Sequence, residues 1–452
     1  MRTAEGPALS IVAGATLLQG ANGFLQALLP LRLQAAGVST TEFGLVAAAY
    51  GFGFMGGCLA TPWCVRRVGF IRAFITLAAL LAIIALAFAL ATHISTWMAL
   101  RAANGACMAG LFTIIEGWIS ARAQNSSRGR VLASYMVASK LALTVGPLLV
   151  GIAPVEGDRL FMALSALLLL ALLPVAFTLA DPPAPPRLVT LGLRDLTNQA
   201  PSAFVGCFLI GLINAPVVAL APLYGRGMGL SVEAAAALLI VLQGGNLLLQ
   251  WPLGWLSDRL DRRVVIALIG AGTAVVSAVI AGMPTDAAPT LIYAAIAGWG
   301  GLALCAYAIC VAHACDLVPP ERVVPTISGL LLAWAAGAMI GPLPGAMLMD
   351  LLGPRGLFVF TGAASAALAL YVVVRMVMNR RPRSARHAFV ALLPNSPASG
   401  TLTPQAERCD EHHGARSTAR DLPAYPPHCA SKANAGNGPT GFRREARSSE
   451  KS

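Results

Sequence analysis

Charged side chains are scarce in this chain: Asp, Glu, Lys and Arg together make up 12% of 452 residues, about half the share of an average soluble domain. So few charges cannot coat a water-facing globule of this length, which excludes the soluble classes. Lysine is rarer still beside arginine, a bias that suits a GC-rich bacterial genome. Disulfides are not implied, because Cys58, Cys64, Cys107, Cys207, Cys305, Cys310 and Cys315 lie in or beside apolar segments, where a thiol acts as a small hydrophobe. No His-Glu-x-x-His, no Gly-x-Ser-x-Gly and no matched ligand set is present, so neither an enzyme nor a metal or other cofactor is indicated. Cys409, His412, His413, His428 and Cys429 have spacings that fit no usual zinc site. Acids are too few to balance the arginines, and the net charge is +12 with a pI near 9.7. That excess sits at the ends of apolar blocks and in the C-terminal stretch, which marks membrane topology and argues against nucleic acid.

What the chain does have is apolar sequence, 57% of it, with a mean hydropathy of +0.71. Splitting at charges and turn residues leaves twelve blocks long enough to cross a bilayer, at roughly 9–33, 41–65, 70–92, 96–120, 130–153, 159–180, 202–224, 232–256, 264–283, 290–315, 323–350 and 356–378. The first run is too long for a signal peptide and is interrupted by Gln19, Asn22 and Gln26, so it counts as a span. Ser39-Thr-Thr-Glu42 has capping-box spacing for the start of the second. Twelve arginines, Arg66, Arg67, Arg72, Arg122, Arg128, Arg130, Arg187, Arg194, Arg259, Arg262, Arg263 and Arg322, fall on loops of one side; the other side has Arg32, Arg159, Arg226 and Arg355. By the positive-inside rule both termini are expected in the cytoplasm.

An internal repeat organises the spans. Leu29–Ser39 aligns with Ala221–Ser231, pairing Pro30 with Pro222 at a shift of 222 − 30 = 192. The same shift pairs Asn22 with Asn214, Gly37 with Gly229, Trp63 with Trp255 and Arg67 with Arg259. The expected organisation is a six-helix bundle over 1–180, a proline-rich linker over 181–201, a second six-helix bundle over 202–378 in the same orientation, and a basic disordered tail over 379–452. Blocks three, six, nine and twelve carry almost no strongly polar side chain, which suits lipid-facing helices.

The stretch Gln250–Arg263, QWPLGWLSDRLDRR, joins blocks eight and nine. It is an apolar helix end, a tight charged turn and a second helix start. Gly254 permits close approach of a neighbouring helix, and Asp258 is placed to accept from the N–H groups of an adjacent helix N-terminus. The stretch resembles the Gly-x-x-x-Asp-Arg-x-Gly-Arg-Arg loop of the major facilitator superfamily, with Gly254, Asp258, Arg259, Arg262 and Arg263 in place and Asp261 where that family has glycine. The matching first-half turn has Arg66 for the Asp and Pro62 for the Gly, so the gate is expected to be asymmetric. The resemblance covers about 9–378 and implies an all-α membrane protein of twelve transmembrane helices in two pseudo-symmetric bundles, with helices one, four, seven and ten around a central cavity.

Within that frame, Gln19, Asn22 and Gln26 share one face of the first span, and Gln243, Asn246 and Gln250 repeat the spacing in the eighth. Asn214 answers Asn22. Such amides either glue helices together, at roughly 0.6 to 2 kcal/mol each, or line a cavity. Arg101 with Gly105, near Asn104, resembles a family motif tied to substrate and proton coupling. Glu116, about 22 Å further along the same helix, with Arg122, and Asp316 with Arg322, resemble with Arg67 and Arg259 the superfamily's inner charge network, a cytoplasmic gate. His313 is counted with the cavity. Lys140 lies near mid-bilayer: paired with Glu116 it is structural, and unpaired it makes, with Arg101, a positive cavity that favours an anionic solute. Gly146-Pro147 and Gly341-Pro342 are expected helix bends and resemble the Gly-Pro motif of family exporters.

The reading is a monomeric secondary carrier of a small-molecule solute in a bacterial plasma membrane, partnered by the lipid bilayer and coupled to protons. A passive exchanger and a transport-dead sensor remain as alternatives.

Overall fold

The apolar blocks form helices whose bounds lie within a few residues of those expected. A backbone in hydrocarbon must satisfy its own N–H and C=O groups, and a helix does so within one segment. The computed structural model describes residues 6–122, 128–177, 201–318 and 322–378; linker residues 181–200 and the tail 379–452 lie outside them. The first half comprises α1 (Gly6–Ala35), α2 (Thr40–Val68), α3 (Phe70–Leu90), α4 (Ile94–Arg122), α5 (Arg128–Val145) continued by a 3-10 segment (Gly146–Ile152), and α6 (Arg159–Ala176). The second comprises α7 (Pro201–Gly227), α8 (Val232–Arg259), α9 (Arg262–Ala281), α10 (Pro289–Ala303) with α11 (Ala306–Cys315), α12 (Val323–Ile340) with α13 (Pro342–Leu352), and α14 (Gly356–Met378). Among the described residues, eleven spans are long and apolar enough to cross a membrane. The remaining span, α1, carries four amides, Gln19, Asn22, Gln26 and Gln34, and is long enough at 30 residues.

Breaks in the spans have local causes. The fifth and eleventh give way at Gly146-Pro147 and Gly341-Pro342, as expected where proline removes a donor. The tenth was expected to be continuous and is not: it breaks at Leu304 and Cys305, after the glycines Gly298, Gly300 and Gly301. Asn214 Nδ2 donates to the Ala303 carbonyl at 3.2 Å, supplying a donor that the broken helix lacks. The capping box at the start of α2 forms, with Ser39 Oγ and Glu42 bonding each other's backbone.

The duplication is written into the packing. Span one packs on five and seven on eleven, two on four and eight on ten, three on six and nine on twelve. At the crossing of two on four, Gly53 lies on the Ala102 carbonyl; at eight on ten, Gly245 lies on the Ala297 carbonyl. The offsets are 245 − 53 = 192 and 297 − 102 = 195, so a three-residue difference enters between the second and fourth spans of the two copies. Spans three, six, nine and twelve present Ile83, Leu170, Val275 and Leu370 to the surroundings, which bears out their plain composition.

A methyl added at Gly245 has no room against backbone, whereas at the neighbouring Gly244 it meets nothing within 4 Å. Gly245→Ala is expected to lower stability by about 1 to 3 kcal/mol and Gly244→Ala to leave it unchanged or slightly raised. Melting temperatures of the two purified variants check this; equal values would contradict the close crossing.

Candidate functional site

A cavity with about 140 Å³ of water-accessible space lies between the two halves near the middle of the spans. Its walls come from spans one, two, four, five, seven, eight, ten and eleven, and none from the four plain ones. Of the expected cavity residues, Gln19, Gln26, Arg101, Lys140, Asn214, Gln243 and Asn246 line it. Asn22 does not: it is buried and donates to Gln19 Oε1 at 3.4 Å on its own helix. Asn104 is also behind the wall, accepting from Arg101 Nη1 at 2.7 Å. His313 is corrected outright. It sits near the end of α11 by the charged turn, with Arg263, Asp261 and Arg262 as its charged neighbours, well along the span from Leu304, the residue of that span that lines the cavity.

Lys140 does not bond Glu116. Its Nζ donates to Asn246 Oδ1 and, at 2.8 Å, to Gln250 Oε1, bridging the fifth span of one half to the eighth of the other. Gln250 completes the amide face expected on span eight. Three aromatic residues also line the wall, Phe43, Tyr50 and Trp334. Tyr50 lies with its ring 4.4 Å from the Arg101 guanidinium carbon, a cation–π distance. Trp334 packs edge-on against Phe54 of the other half, centroids 6.3 Å apart, and against Tyr307 at the same distance. Only their position among apolar residues at helical spacing was visible, and that is the ordinary pattern of a core.

Contacts between the halves also close the end of the bundle away from the arginine-rich turns. Asp350 Oδ2, at the end of α13, accepts from the Thr41 backbone N–H at 2.8 Å and from its hydroxyl at 2.6 Å. The first turn of α2 thus receives a carboxylate from the other half, favourable to its exposed N–H groups and its dipole. Beneath it Gly44 meets Ala346 and Gly51 meets Met339, a seam of small side chains that lets α2 lie close on α12 and α13. This is the chemistry anticipated for Asp258, found at the opposite face on a different residue.

At the arginine-rich face the described ion pairs lie within the second half. Arg262 is buried, with Nε 2.7 Å from Asp316 Oδ2 and Nη2 3.8 Å from Asp258 Oδ1, tying spans eight, nine and ten. Asp316 meets the buried Arg262, and Arg322 is exposed. Gly254 is buried one turn before Asp258. Arg67 stacks over Trp63 at 5.5 Å and Arg259 over Trp255 at 3.7 Å, the same exposed pair in both copies. Arg67 is thus drawn along its own helix rather than into a carboxylate network. Glu116 is buried, within electrostatic reach of Tyr135 and of Tyr307 from the other half; the Arg122 side chain lies outside the described residues. Asp261, unlike the glycine of the motif, caps α9 by accepting from the Arg263 N–H at 2.9 Å. Partial burial raises its carboxyl, but bonds from the Arg263 side chain and backbone outweigh this and hold it below the usual carboxylate value. The cap's contribution is present above the unfolded value and is lost as pH falls through the lowered one.

Twelve spans in two related bundles around a polar midplane cavity define a multi-pass membrane transporter. The sequence matches the Major Facilitator Superfamily over residues 11–323 and 235–417, and the chain belongs to that family. It is 27% identical over 383 residues to the uncharacterized MFS-type transporter YcaD of Escherichia fergusonii, covering 84% of this chain and 96% of that one. Similarity to YcaD of Salmonella enteritidis is 27% over 377 residues, 81% and 94% of the two chains. Among solved structures it resembles the nucleoside transporter NupG (TM-score 0.70, 12% identity, 83% and 99% covered) and a D-xylose-proton symporter (0.66, 14%, 81% and 96%). At these identities the structural likeness concerns the fold.

Asp316→Asn removes charge from the partner of a buried guanidinium and is expected to cost about 3 kcal/mol or more, while Arg262→Met with Asp316→Leu together should recover most of it. Thermal unfolding of the single and double variants tests this. A single variant as stable as the parent would show that the pair has no such weight.

Proposed function

We propose that the chain moves a small organic solute through the central cavity by alternating access, the two bundles rocking as units about it. The observation that carries this reading is the Asp350 to Thr41 contact. Its hydrogen bonds between the halves are exposed and water-replaceable, and such a contact suits a closure that forms and opens. The cavity has room for on the order of ten waters, so a solute of about that many heavy atoms fits. Gln19, Gln26, Asn214, Gln243 and Asn246 supply orienting hydrogen bonds, with Arg101 and Lys140 as the charged groups.

The arginine-rich face is cytoplasmic in this reading, in the inner membrane of a bacterium, supported by the loop asymmetry and by the bacterial relatives. Asp258, Arg262 and Asp316 of the second half, with Glu116 of the first, form the gate there. Arg259, Arg322 and Arg122 are the further arginines we assign to it from the sequence. Protons are the coupling ion, with the buried Glu116 and Lys140 as the titratable groups next to the path. The Gly-Pro breaks in spans five and eleven favour export.

Asp350→Ala should weaken the far-face closure. In a cysteine-free background carrying Ala47→Cys, a membrane-impermeant maleimide added from that face should label about five to ten times faster, the equivalent of roughly 1 kcal/mol. An unchanged rate would remove the latch. For coupling, proteoliposomes loaded with a pH dye should alkalinise or acidify when a transported solute is added; solute flux with no pH response would favour passive exchange.

A further inference from the structure

We propose that the cavity is built for a small organic anion, whose carboxylate or equivalent acid group is held between Arg101 and Lys140. The inference rests on the carrier reading for its physiology, but the site stands on its own geometry. Both cations line the cavity, and among the described residues no Asp or Glu does. The partners each has are neutral: Arg101 meets the Asn104 amide oxygen and the Tyr50 ring, and Lys140 meets two amide oxygens. Two cations in the hydrocarbon zone without a carboxylate between them are unfavourable until an anion arrives.

The donor geometry points the same way. Asn104 occupies Nη1 of Arg101, while Nε is buried with no hydrogen-bond partner. With Nη1 taken and Nε buried, Nη2 is the donor left for an acid group in the cavity, in a charge-assisted bond. An ammonium has three donors, and Lys140 has committed two. Beyond the charged end, Asn214 Oδ1 is a buried acceptor without a partner, and Leu29, Val218 and Leu304 form apolar wall. The site therefore suits an acid group on a hydrophobic or aromatic body rather than an inorganic ion. Because Lys140 also bridges the halves, an anion that draws the ammonium away from Asn246 and Gln250 loosens that bridge, which links binding to the rocking motion.

The test is thermal stabilisation of the purified full-length chain in detergent by matched sets of a carboxylate, its amide and its amine: benzoate, benzamide and benzylamine, then hexanoate, hexanamide and hexylamine. At about 10 mM a carboxylate should raise Tm by roughly 2 °C or more, with the amides and amines well below it. Arg101→Gln and Lys140→Gln should abolish the shift, and Arg101→Lys should keep part of it. Should the glutamine variants fail to fold, iodide and caesium quenching of the parent protein serves in their place. Iodide, but not caesium, should quench the Trp334 share of the fluorescence, identified by Trp334→Phe, and benzoate should relieve it. Equal stabilisation by amides or amines, no shift with any carboxylate, a shift retained in folded Arg101→Gln and Lys140→Gln, or quenching indifferent to charge would overturn the proposal. Binding without flux in liposomes would instead count against the carrier reading and leave the anion site intact.

Discussion

Asp350 reaches from the end of one half of the bundle to the first turn of α2 in the other, where two donors of Thr41 converge on one carboxylate oxygen. Charge-assisted bonds of this kind contribute of order 1 to 3 kcal/mol each when sheltered, and less at a surface where water competes. The seam below it adds close contact but no polar bond: Gly44 on Ala346 and Gly51 on Met339. The roof of the cavity is therefore held by a polar pair that water can replace and by small apolar residues that separate without leaving buried charge. In the middle of the membrane the halves meet through Lys140 on two amides and through Trp334 between Phe54 and Tyr307.

The same duplicated unit provides both rigidity and asymmetry. Glycine crossings at matching places fix two against four and eight against ten, so each half is closely packed within itself. Departures from the repeat collect where the chain meets solvent or solute. Arg66 stands where the second copy has Asp258, so the buried Arg262 with Asp258 and Asp316 has no first-half twin. Span ten breaks within the wall of the cavity, and Asn214 repairs the exposed carbonyl. In Asn22 the first copy keeps the same amide but turns it to Gln19.

Much of the fold was legible because hydrocarbon imposes its own grammar. Span length, arginine asymmetry, the plain third helices and the 192-residue shift all report a single constraint, that polar groups must leave the lipid face. Seven cavity residues could be named for the same reason: an amide or cation in mid-span needs a polar neighbour. What stayed hidden depends on distance between helices. Periodicity does not say that Lys140 meets Asn246 rather than Glu116, nor that His313, one turn before Asp316, has Arg262 and Arg263 as its charged neighbours rather than facing the cavity. Asp350 lies three residues before a glycine turn and reads as an ordinary helix end; nothing local shows that Thr41, 309 positions away, is its partner. Arg67 matched Arg259 in register, but both follow a tryptophan by one turn, and stacking on it holds Arg67 on the surface of its own helix.

The central claim is that the two bundles exchange closure between faces as units, and paired distance measurements test it most directly. Spin labels at Ala36 and Arg355 report the far face across the halves, and labels at Arg72 and Leu260 report the arginine-rich face; all four positions are exposed. The account predicts that conditions which lengthen the first distance shorten the second, with two populations in each. A single fixed distance at both faces, or the two changing in the same direction, would contradict it.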